Sequence, residues 1–381
     1  MAPRPRQRRR LAALAAHCRH HSTAATTEAL DAATPPPVAQ VPTLDLGEVI
    51  AAASLDSLAA DLPVVAQIRD ACATWGFFQV VNHGVAPEQL AAFEAAMTGF
   101  FAQPRGVKEA VRRTETNSKG WYDDELTKQR VDWKEGYDVG AQDGSLDRRG
   151  LDGYNVWPAV AGFEGTIRAY FAQMEELAAR LTGCMALGLG MAPTYFAREF
   201  EGCHSSYLRL NHYPPCPELP GGAETSRPDA SVWDDSSGEV DPWSISHHTD
   251  AGAVTVLHQT QVQSLQVLQP RDGRWYDVEP QPGAFVINTG DIMQVWSNDR
   301  YVAPVHRVKA QRSLRRYSAP FFYNPSYETS YAPVSGTVSD QEPARYRPIN
   351  WGEFRLGRFQ GDFADVGAAD VQIADFRIEE A

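Results

Sequence analysis

The chain has 381 residues, of which 43% are hydrophobic and 22% charged, so it is long enough to bury a sizeable core. No apolar stretch reaches the length of a transmembrane helix, and the net charge is −13. Residues 1–27 hold six arginines and no acidic residue, which leaves 29 basic against 48 acidic residues elsewhere. Because so acidic a body repels polyanions, we expect neither nucleic acid nor an anionic membrane among its partners.

The basic N-terminal segment has the composition of an organelle-targeting peptide. It is rich in alanine and lacks acidic residues, and its arginines are Arg4, Arg6, Arg8, Arg9, Arg10 and Arg19. This composition predicts import into a mitochondrion or a plastid; the alternative is a basic tail on a cytoplasmic protein. The three prolines at 35–37 indicate a stiff linker, so residues 1–37 are predicted to precede the folded part.

The next part of the chain is predicted to be an α/β region. A short strand is expected at 41–46, and a helical spacing over 64–75 is followed by Gly76 and a buried strand at 77–81. Pro87 suits the first turn of a second helix, and an apolar stripe predicts a third helix over 163–187. Residues 105–160 are polar and irregular, with aromatic residues at 121–122 and 133–137 that could line a cavity mouth or simply pack. We place the N-terminal region at 38–160 and a helical connection at 161–200.

From Ser206 onward the pattern changes to short strands separated by glycine and proline. These strands are predicted at 206–213, 244–258, 264–269, 284–289, 291–296, 303–309 and 314–322. Many short strands of this kind are typical of a sandwich or a jelly roll, so the chain is predicted to be mainly β with flanking helices. Residues 217–243 are rich in Gly, Ser, Asp and Pro and indicate an exposed loop or flap. We place the jelly-roll domain at 201–325 and a C-terminal extension at 326–381.

Two histidines and an aspartate form a candidate metal site. His248 and Asp250 are two residues apart, so on a strand their side chains share a face. His306 is the better third ligand, because His247 is out of phase and His258 is predicted to lie further along the same strand. Two imidazoles and one carboxylate leave coordination positions open, which suits a non-haem Fe(II) that must also bind O₂ and an organic ligand.

Polar side chains on two further predicted strands could hold an organic acid. Arg316 and Ser318 share a face, and a guanidinium can bind a carboxylate through two parallel hydrogen bonds. Arg209, Asn211 and Tyr213 follow the same two-residue period and indicate a lined cavity, although Arg209 is better explained as a hydrogen-bonded group of the barrel interior. The chain contains no dinucleotide fingerprint, phosphate-binding loop or nucleophile elbow. Its five cysteines have no CxxC spacing and predict buried free thiols in a reducing compartment.

A set of ordered motifs resembles one family of enzymes. The matching stretches are 41–46 (VPTLDL), 75–85 (WGFFQVVNHGV), 209–217 (RLNHYPPCP), 248–252 (HTDAG), 288–291 (NTGD), 306–308 (HRV) and 316–318 (RYS). Together they resemble the plant-type Fe(II)/2-oxoglutarate-dependent dioxygenases, whose superfamily includes isopenicillin N synthase and aminocyclopropanecarboxylate oxidase. The resemblance covers residues 41–325, with departures at Ser264, where a glycine is usual, and at 303–305.

The resemblance implies a distorted jelly roll, a double-stranded β-helix of the cupin type, with flanking helices. It implies three iron ligands: His248, Asp250 and His306. It also implies four contacts with 2-oxoglutarate: Arg316 and Ser318 at the distal carboxylate, and Tyr213 and Asn211 beside it. The family reaction consumes O₂, decarboxylates 2-oxoglutarate to succinate and CO₂, and hydroxylates or desaturates a small organic molecule. Ascorbate is an optional reductant.

Two alternatives use the same residues differently. A non-haem iron oxidase of the isopenicillin N synthase type would need no 2-oxoglutarate, since Arg316 and Ser318 could hold a substrate carboxylate instead. A non-catalytic jelly-roll binding protein would keep only the scaffold, but the complete set of ligands argues against it. In each case the partner is a small molecule, and the chain is expected to be a monomer or a weak oligomer.

Overall fold

The computed structural model describes residues 40–127, 130–141, 151, 153–216, 243–363 and 371–378; the predicted tail at 1–37 and residues 217–242 of the predicted loop lie outside this range. Its α-helices are α1 (Gly47–Ala51), α2 (Pro63–Thr74), α3 (Pro87–Phe101), α4 (Arg105–Glu109), α5 (Phe163–Gly188), α6 (Asp291–Trp296) and α7 (Trp351–Phe363). Its first strands are β1 (Thr43–Asp45), β2 (Phe77–Val81), β3 (Gly120–Tyr122), β4 (Leu126–Thr127), β5 (Arg130–Val131), β6 (Glu135–Gly140), β7 (Tyr207–Tyr213) and β8 (Trp243–His248). The remaining strands are β9 (Val254–Gln259), β10 (Leu265–Leu268), β11 (Trp275–Asp277), β12 (Phe285–Thr289), β13 (His306–Lys309), β14 (Arg316–Tyr323), β15 (Ser330–Tyr331) and β16 (Ile349–Asn350).

Two sheets form the core of the fold. The larger sheet has the strand order β1-β2-β12-β9-β14-β7-β6-β3, and the smaller sheet has the order β11-β10-β13-β8. All neighbouring pairs in these two sheets are antiparallel except β1 and β2. Buried residues from both sheets, including Tyr213, Leu257, Val267 and Val308, form one cluster between them. This is the predicted jelly roll, and the parallel edge strands with α1 and α2 are the predicted N-terminal α/β region.

Helices α2, α3 and α5 cover the larger sheet. Proline takes the first position of α2 and of α3, where the missing N–H costs nothing. Helix α2 ends as predicted, because Gly76 has a φ of +63° and a Cβ there would lie 2.3 Å from the Val302 carbonyl oxygen. The stripe predicted for α5, which includes Phe163, Met174 and Leu181, is buried in the main core.

Residues 291–296, predicted as a strand, form the short helix α6 instead. The N–H groups of Asp291 and Ile292 donate to the carbonyl oxygens of Asp250 and Gly252, and an acidic residue is favourable in the first turn of a helix. All six residues of α6 are buried. An apolar run that is buried on every side has no periodicity, so it cannot distinguish a strand from a helix.

The strand predicted at 244–258 is in fact two strands, β8 and β9. Between them the chain passes from the smaller sheet to the larger one. Asp250 therefore lies in the connecting turn, and the prediction that His258 lies on the same strand as His248 is wrong. The other strands predicted after residue 200 correspond to β7, β10, β12, β13 and β14.

The polar region 105–160 contains four strands that sequence patterning missed: β3, β4, β5 and β6. Strands β3 and β6 extend the larger sheet beyond β7. Trp121, Tyr122 and Tyr137 are at most 1% exposed, so they belong to the core and do not line a cavity mouth. Trp133 is 45% exposed, and its Nε1 donates to the Pro214 carbonyl oxygen at 3.0 Å.

The described part of the chain holds four cysteines: Cys72, Cys184, Cys203 and Cys216. All four are free thiols, as predicted, and all but Cys203 are buried. Burial raises the pKa of Cys184 to about 12, which makes its thiol unreactive. Within the same described residues, no helix combines the length and the hydrophobicity needed to cross a membrane.

Candidate active site

The three predicted metal ligands meet where the chain passes from the smaller sheet to the larger one. His248 ends β8, His306 begins β13, and the two residues are paired across the smaller sheet. Asp250 follows β8 rather than lying on it, but its Oδ1 is 3.7 Å from Nε2 of His248 and 3.6 Å from Nε2 of His306. One ligand atom from each residue lies within 4.8 Å of the other two, so the three side chains can share one metal ion.

Backbone carbonyl groups orient both imidazoles. Nδ1 of His248 lies 2.8 Å from the Ser246 oxygen, and Nδ1 of His306 lies 3.2 Å from the Pro304 oxygen. A carbonyl oxygen only accepts, so Nδ1 donates in each ring and Nε2 presents its lone pair to the shared centre. Desolvation within the barrel, followed by the neighbouring His306, lowers the pKa of His248 to about 3, which keeps this ring neutral at physiological pH. A tautomer fixed in this way is typical of metal-binding histidines.

The Asp250 carboxylate uses one oxygen for the fold and leaves the other for a ligand. Its Oδ2 accepts hydrogen bonds from Thr255 Oγ1 at 2.6 Å and from Asn288 Nδ2 at 2.7 Å. Burial by itself would raise the pKa of Asp250, but the neighbouring His306 and the two hydrogen bonds together hold it below its ordinary value. The group is therefore ionised, and two imidazoles with one carboxylate form the donor set that suits non-haem Fe(II).

Helix α6 fixes the turn that carries Asp250. Its first N–H groups, on Asp291 and Ile292, donate to the Asp250 oxygen at 2.8 Å and to the Gly252 oxygen at 3.1 Å. The approach is so close that a Cβ on Gly290 would lie 2.2 Å from the Gly252 oxygen, which only glycine avoids. The NTGD motif thus acts twice on this turn. Asn288 donates to the Asp250 carboxylate, and Asp291, at the start of α6, donates from its N–H to the Asp250 backbone oxygen.

The other two histidines considered as ligands are not part of this group. His258 lies on β9, with Nε2 3.0 Å from Glu94 Oε1 and its ring against Phe93 of α3. It therefore faces the helix layer, on the opposite side of β9 from Thr255. His247 does not join the group of converging ligand atoms either.

Arg316 forms the second part of the site as a deeply buried cation. It is 1% exposed, its Nη2 donates to Gln259 Oε1 at 2.8 Å, and its guanidinium lies 4.9 Å from the Tyr213 ring centre. Nε and Nη1 have no hydrogen-bond partner among the residues that the structure describes. Burial lowers the pKa of Arg316, which the Tyr213 hydroxyl partly opposes. Buried N–H donors of a cation need an acceptor, and a carboxylate can bind two of them at once.

The remaining predicted cosubstrate residues lie on the two paired strands that carry Arg316 and Tyr213. Strand register places Tyr213 opposite Arg316 and Asn211 opposite Ser318. Ser318 Oγ lies 3.4 Å from the Tyr213 hydroxyl and 3.5 Å from Asn211 Nδ2, at the long end of hydrogen bonding. Asn211 Oδ1 is buried and has no partner within the described ranges. These polar groups fit the end of a dicarboxylate such as 2-oxoglutarate.

Gln259 is a site residue that sequence reasoning missed. It accepts the hydrogen bond from Arg316, and its own Nε2 is buried without a partner in the described structure. Gln259 is four residues from Thr255 on β9, so both face the barrel interior, one at the guanidinium and one at Asp250. The only signal in the sequence is this even spacing, which becomes informative once the strand is known.

A polar cavity adjoins the turn of residues 249–253, the metal-binding turn, which carries the candidate ligand Asp250. Its wall includes Lys119, Glu125, Asp138, Arg209, Asn324 and Arg355. Asn324 lies directly over the turn, because a Cβ on Gly252 would be 1.9 Å from its Oδ1. Arg209 donates to Asp138 at 2.9 and 2.8 Å and to Glu125 at 3.0 Å, which confirms its prediction as a hydrogen-bonded interior group.

Two family models match the chain. The model of the 2OG-Fe(II) oxygenase superfamily matches residues 204–325, and the model of the non-haem dioxygenase in morphine synthesis N-terminal region matches residues 41–160. Together these ranges span more than half of the chain. The first range contains all seven predicted ligand and cosubstrate residues.

Similar proteins are found among plant enzymes. The chain is 31% identical over 341 residues to the oxoglutarate-dependent flavonoid 7-O-demethylase 1 of Ocimum basilicum, with 88% of this chain and 82% of that protein covered. It is 32% identical over 330 residues to the jasmonate-induced oxygenase 2 of Arabidopsis thaliana, with 84% and 80% covered.

Solved structures of similar proteins share the fold. The structure of JOX2 in complex with 2OG, Fe and JA has a TM-score of 0.67 and 29% identity, and the match covers 85% of this chain and 87% of that one. The structure of a full-length Neurospora crassa protein in complex with alpha-KG also has a TM-score of 0.67, with 25% identity and 84% and 96% covered.

These similarities agree with the jelly-roll core and with a donor set suited to iron. They favour the 2-oxoglutarate-dependent enzyme over the two alternatives, an oxidase that needs no 2-oxoglutarate and a binding protein without activity. Iron is accordingly the cofactor, and 2-oxoglutarate and O₂ are the cosubstrates that accompany the organic substrate. The chain belongs to the 2OG-Fe(II) oxygenase superfamily and is a non-haem Fe(II)/2-oxoglutarate-dependent dioxygenase.

Proposed function

We propose specific roles for the residues of this site in the oxidation of a polar small molecule. Three side chains would hold Fe(II): His248, Asp250 and His306. Four would hold 2-oxoglutarate: Arg316 and Ser318 at the distal carboxylate, with Tyr213 and Asn211 beside it. The observation that carries this proposal is the combination of converging ligand atoms and a buried guanidinium with open donors in one barrel. Either part alone would have a structural explanation, such as an ion pair.

Fe(II) and 2-oxoglutarate, when bound, supply the oxidising chemistry, and the protein contributes binding and orientation. The rigid strands β8, β13 and β14 carry His248, His306 and Arg316, so the two halves of the site keep a fixed separation. Buried apolar side chains between the sheets, among them Leu257 and Val267, exclude water from the space beside them. Asp250 stays ionised and so offsets part of the charge of a dication.

The substrate is proposed to bind against the polar groups beside the metal-binding turn, which line a cavity that by itself has room for about one water molecule. The cavity wall has four basic side chains and two acidic ones: Arg113, Lys119, Arg209 and Arg355, with Glu125 and Asp138. Charged side chains around a cavity favour an acidic or hydroxyl-rich ligand, which can hydrogen-bond to them, over a hydrocarbon-like ligand, which cannot. Relatives named as a flavonoid demethylase and a gibberellin dioxygenase support a small organic molecule as the substrate.

Anaerobic spectroscopy on the full-length chain tests the assignment of metal and cosubstrate. Metal-free protein receives Fe(II) and then 2-oxoglutarate, and we expect a visible charge-transfer band that appears only after the second addition. Succinate, which lacks the 2-oxo group needed for chelation, is the control and should give no band. Asp250→Ala should abolish both the band and turnover. Iron binding without a band would contradict the cosubstrate pocket, and no iron binding would contradict the metal site.

The substrate class is tested by the stimulation of succinate release. Small carboxylic acids are compared with their neutral methyl esters under identical Fe(II) and 2-oxoglutarate concentrations. We expect the acids to stimulate release more strongly, because the described cavity wall carries more basic than acidic side chains. Equal stimulation by acid and ester would contradict an acidic substrate and leave a neutral polar one.

A further inference from the structure

The C-terminal helix α7 reaches the metal-binding turn through one arginine. Arg358 donates from Nη2 to the Thr249 carbonyl oxygen at 2.7 Å. Thr249 is the residue between the proposed ligands His248 and Asp250. The Arg358 side chain is only 14% exposed, and its Nη1 donates to Gln372 Oε1 at 2.7 Å, so the guanidinium is held from two sides.

This contact fixes one of two consecutive carbonyl groups in the turn. The Thr249 oxygen accepts from Arg358, and the next one along, that of Asp250, accepts from the Asp291 N–H at 2.8 Å. The two donors belong to different helices, α7 and α6. A rotation of the peptide between Thr249 and Asp250 would break at least one of these bonds. The direction of the Asp250 side chain therefore depends on Arg358 as well as on α6.

A positive charge beside a cation site is unfavourable unless an anion compensates it. Asp291 provides this compensation, since its Oδ2 lies 3.9 Å from Arg358 Nη2 and its side chain is buried. Docking of α7 does not itself need the arginine. Trp351 and Phe354 already anchor the helix in the core, and Trp351 Nε1 donates to Ser205 Oγ at 2.7 Å. The Arg358 guanidinium therefore contributes its hydrogen bond to the turn in addition to these anchoring contacts.

We propose that Arg358 is a positioning residue for the metal-binding turn, which makes α7 part of the metal site. This rests on the proposed assignment of His248, Asp250 and His306 as ligands. Without the guanidinium the ligands remain, but the turn that carries Asp250 can relax. Groups that orient metal ligands from outside change metal affinity by about 10–100-fold. Arg355 of the same helix lines the polar cavity, so a bound substrate would touch the element that holds the turn.

Co(II) binding by the full-length chain tests this role without any dependence on turnover. Affinity is measured by calorimetry, and ligand geometry by the visible d–d bands of bound Co(II). Arg358→Met should weaken Co(II) binding by about tenfold or more and alter the bands, with an unchanged far-UV circular dichroism spectrum. Arg358→Lys should give intermediate affinity, because a single ammonium lacks the fork that reaches Thr249 and Gln372 together.

Arg347→Met is the matched control. Arg347 lies in the same C-terminal part, donates from Nη2 to the Asp375 carbonyl oxygen at 3.1 Å and packs over Phe376, so its loss should leave Co(II) affinity and bands unchanged. Wild-type affinity and bands in Arg358→Met, or in Arg358→Lys if the methionine variant does not fold, would overturn the proposal. An equal loss in Arg347→Met would also overturn it, since general loosening would then suffice. A wild-type chain that binds no Co(II) would overturn the metal site itself, and the positioning role with it.

Discussion

At the scale of single residues, Arg316 is the proposed contact between the fold and 2-oxoglutarate. Its guanidinium gives one N–H to Gln259 and lies 4.9 Å from the Tyr213 ring centre, with no carboxylate as its partner among the described residues. A buried charge that lacks its partner costs on the order of 3–5 kcal/mol. An anion that binds here removes this cost, so the affinity for a dicarboxylate should depend strongly on this one side chain.

Arg316→Ala should raise the 2-oxoglutarate concentration for half-maximal turnover by at least about tenfold, since a two-pronged, charge-assisted contact is lost. Fe(II) affinity in the absence of 2-oxoglutarate should not change. Steady-state kinetics and metal titration measure the two quantities separately. Arg315→Ala is the control, because Arg315 is the exposed neighbour on the chain. An unchanged requirement in Arg316→Ala, or an equal change in both variants, would place the carboxylate elsewhere.

The residues that could be predicted from the sequence are those whose positions follow from local periodicity. Arg316 and Ser318 share a face because side chains alternate along a strand, and no knowledge of the partner strand is needed. Asn288 and Arg358 act on Asp250 and Thr249 across 38 and 109 residues of chain. Their roles depend on strand register and on where α7 docks, and neither follows from spacing.

At the scale of elements, a helix could be predicted where it has one apolar face and one polar face, and could not be predicted where it is buried all round. Helix α5 presents one face to the core and one to solvent, so its apolar residues recur with a helical period. Helix α6 is buried all round and has no polar face to set a period. The break between β8 and β9 was missed for a similar reason. The turn between them contains no proline, and its glycine, Gly252, comes after His248 and Asp250, whose two-residue spacing also suits a strand.

A buried ion cluster that includes Arg209 of β7 should make the fold sensitive to acid. Glu125 Oε2 lies 2.7 Å from Lys134 Nζ and 3.0 Å from Arg209 Nη1. Burial by itself would raise the pKa of Glu125, but Arg209, Lys134 and Arg113 together hold it well below its ordinary value. A carboxyl with a depressed pKa stabilises the fold above its unfolded value of about 4.3 and loses this contribution as the pH falls toward the folded value.

Glu125→Gln should lower the free energy of unfolding at pH 7 by about 3–5 kcal/mol, because two buried cations lose a counter-charge. The difference from wild type should shrink as the pH falls below about 4.3, where the wild-type carboxyl begins to lose its own contribution. Urea unfolding at a series of pH values measures both effects. Glu164→Gln is the control, since Glu164 is exposed and pairs with the exposed Arg168 at the surface, where ion pairs contribute little. If the loss of unfolding free energy in Glu125→Gln were the same at every pH, the cluster would act only by packing.

At the scale of the whole molecule, both ends of the described chain contribute to the catalytic barrel. The N-terminal strands β1, β2, β3 and β6 complete the larger sheet, and α7 braces the metal-binding turn. Arg377, near the C-terminus, donates to Asp299 Oδ2 at 2.8 Å. The segment boundaries at 38–160, 161–200, 201–325 and 326–381 remain predictions, because strands from the first and third segments share one sheet. A monomer or weak oligomer is likewise still a prediction, which sedimentation of the purified chain would test.

We propose that residues 1–37 direct the chain to a mitochondrion or a plastid and take no part in catalysis. Their arginines and the absence of acids over 1–27 support this, and the larger sheet begins only at Thr43. A chain that lacks 1–37 should keep its thermal midpoint and 2-oxoglutarate turnover. Residues 1–37 fused to a fluorescent protein should enter an organelle, and glutamine in place of the five arginines at 4–10 should stop this entry. Cytoplasmic fluorescence from the unaltered fusion would instead support the cytoplasmic alternative, because a basic tail without a targeting role would leave the fusion where it was made.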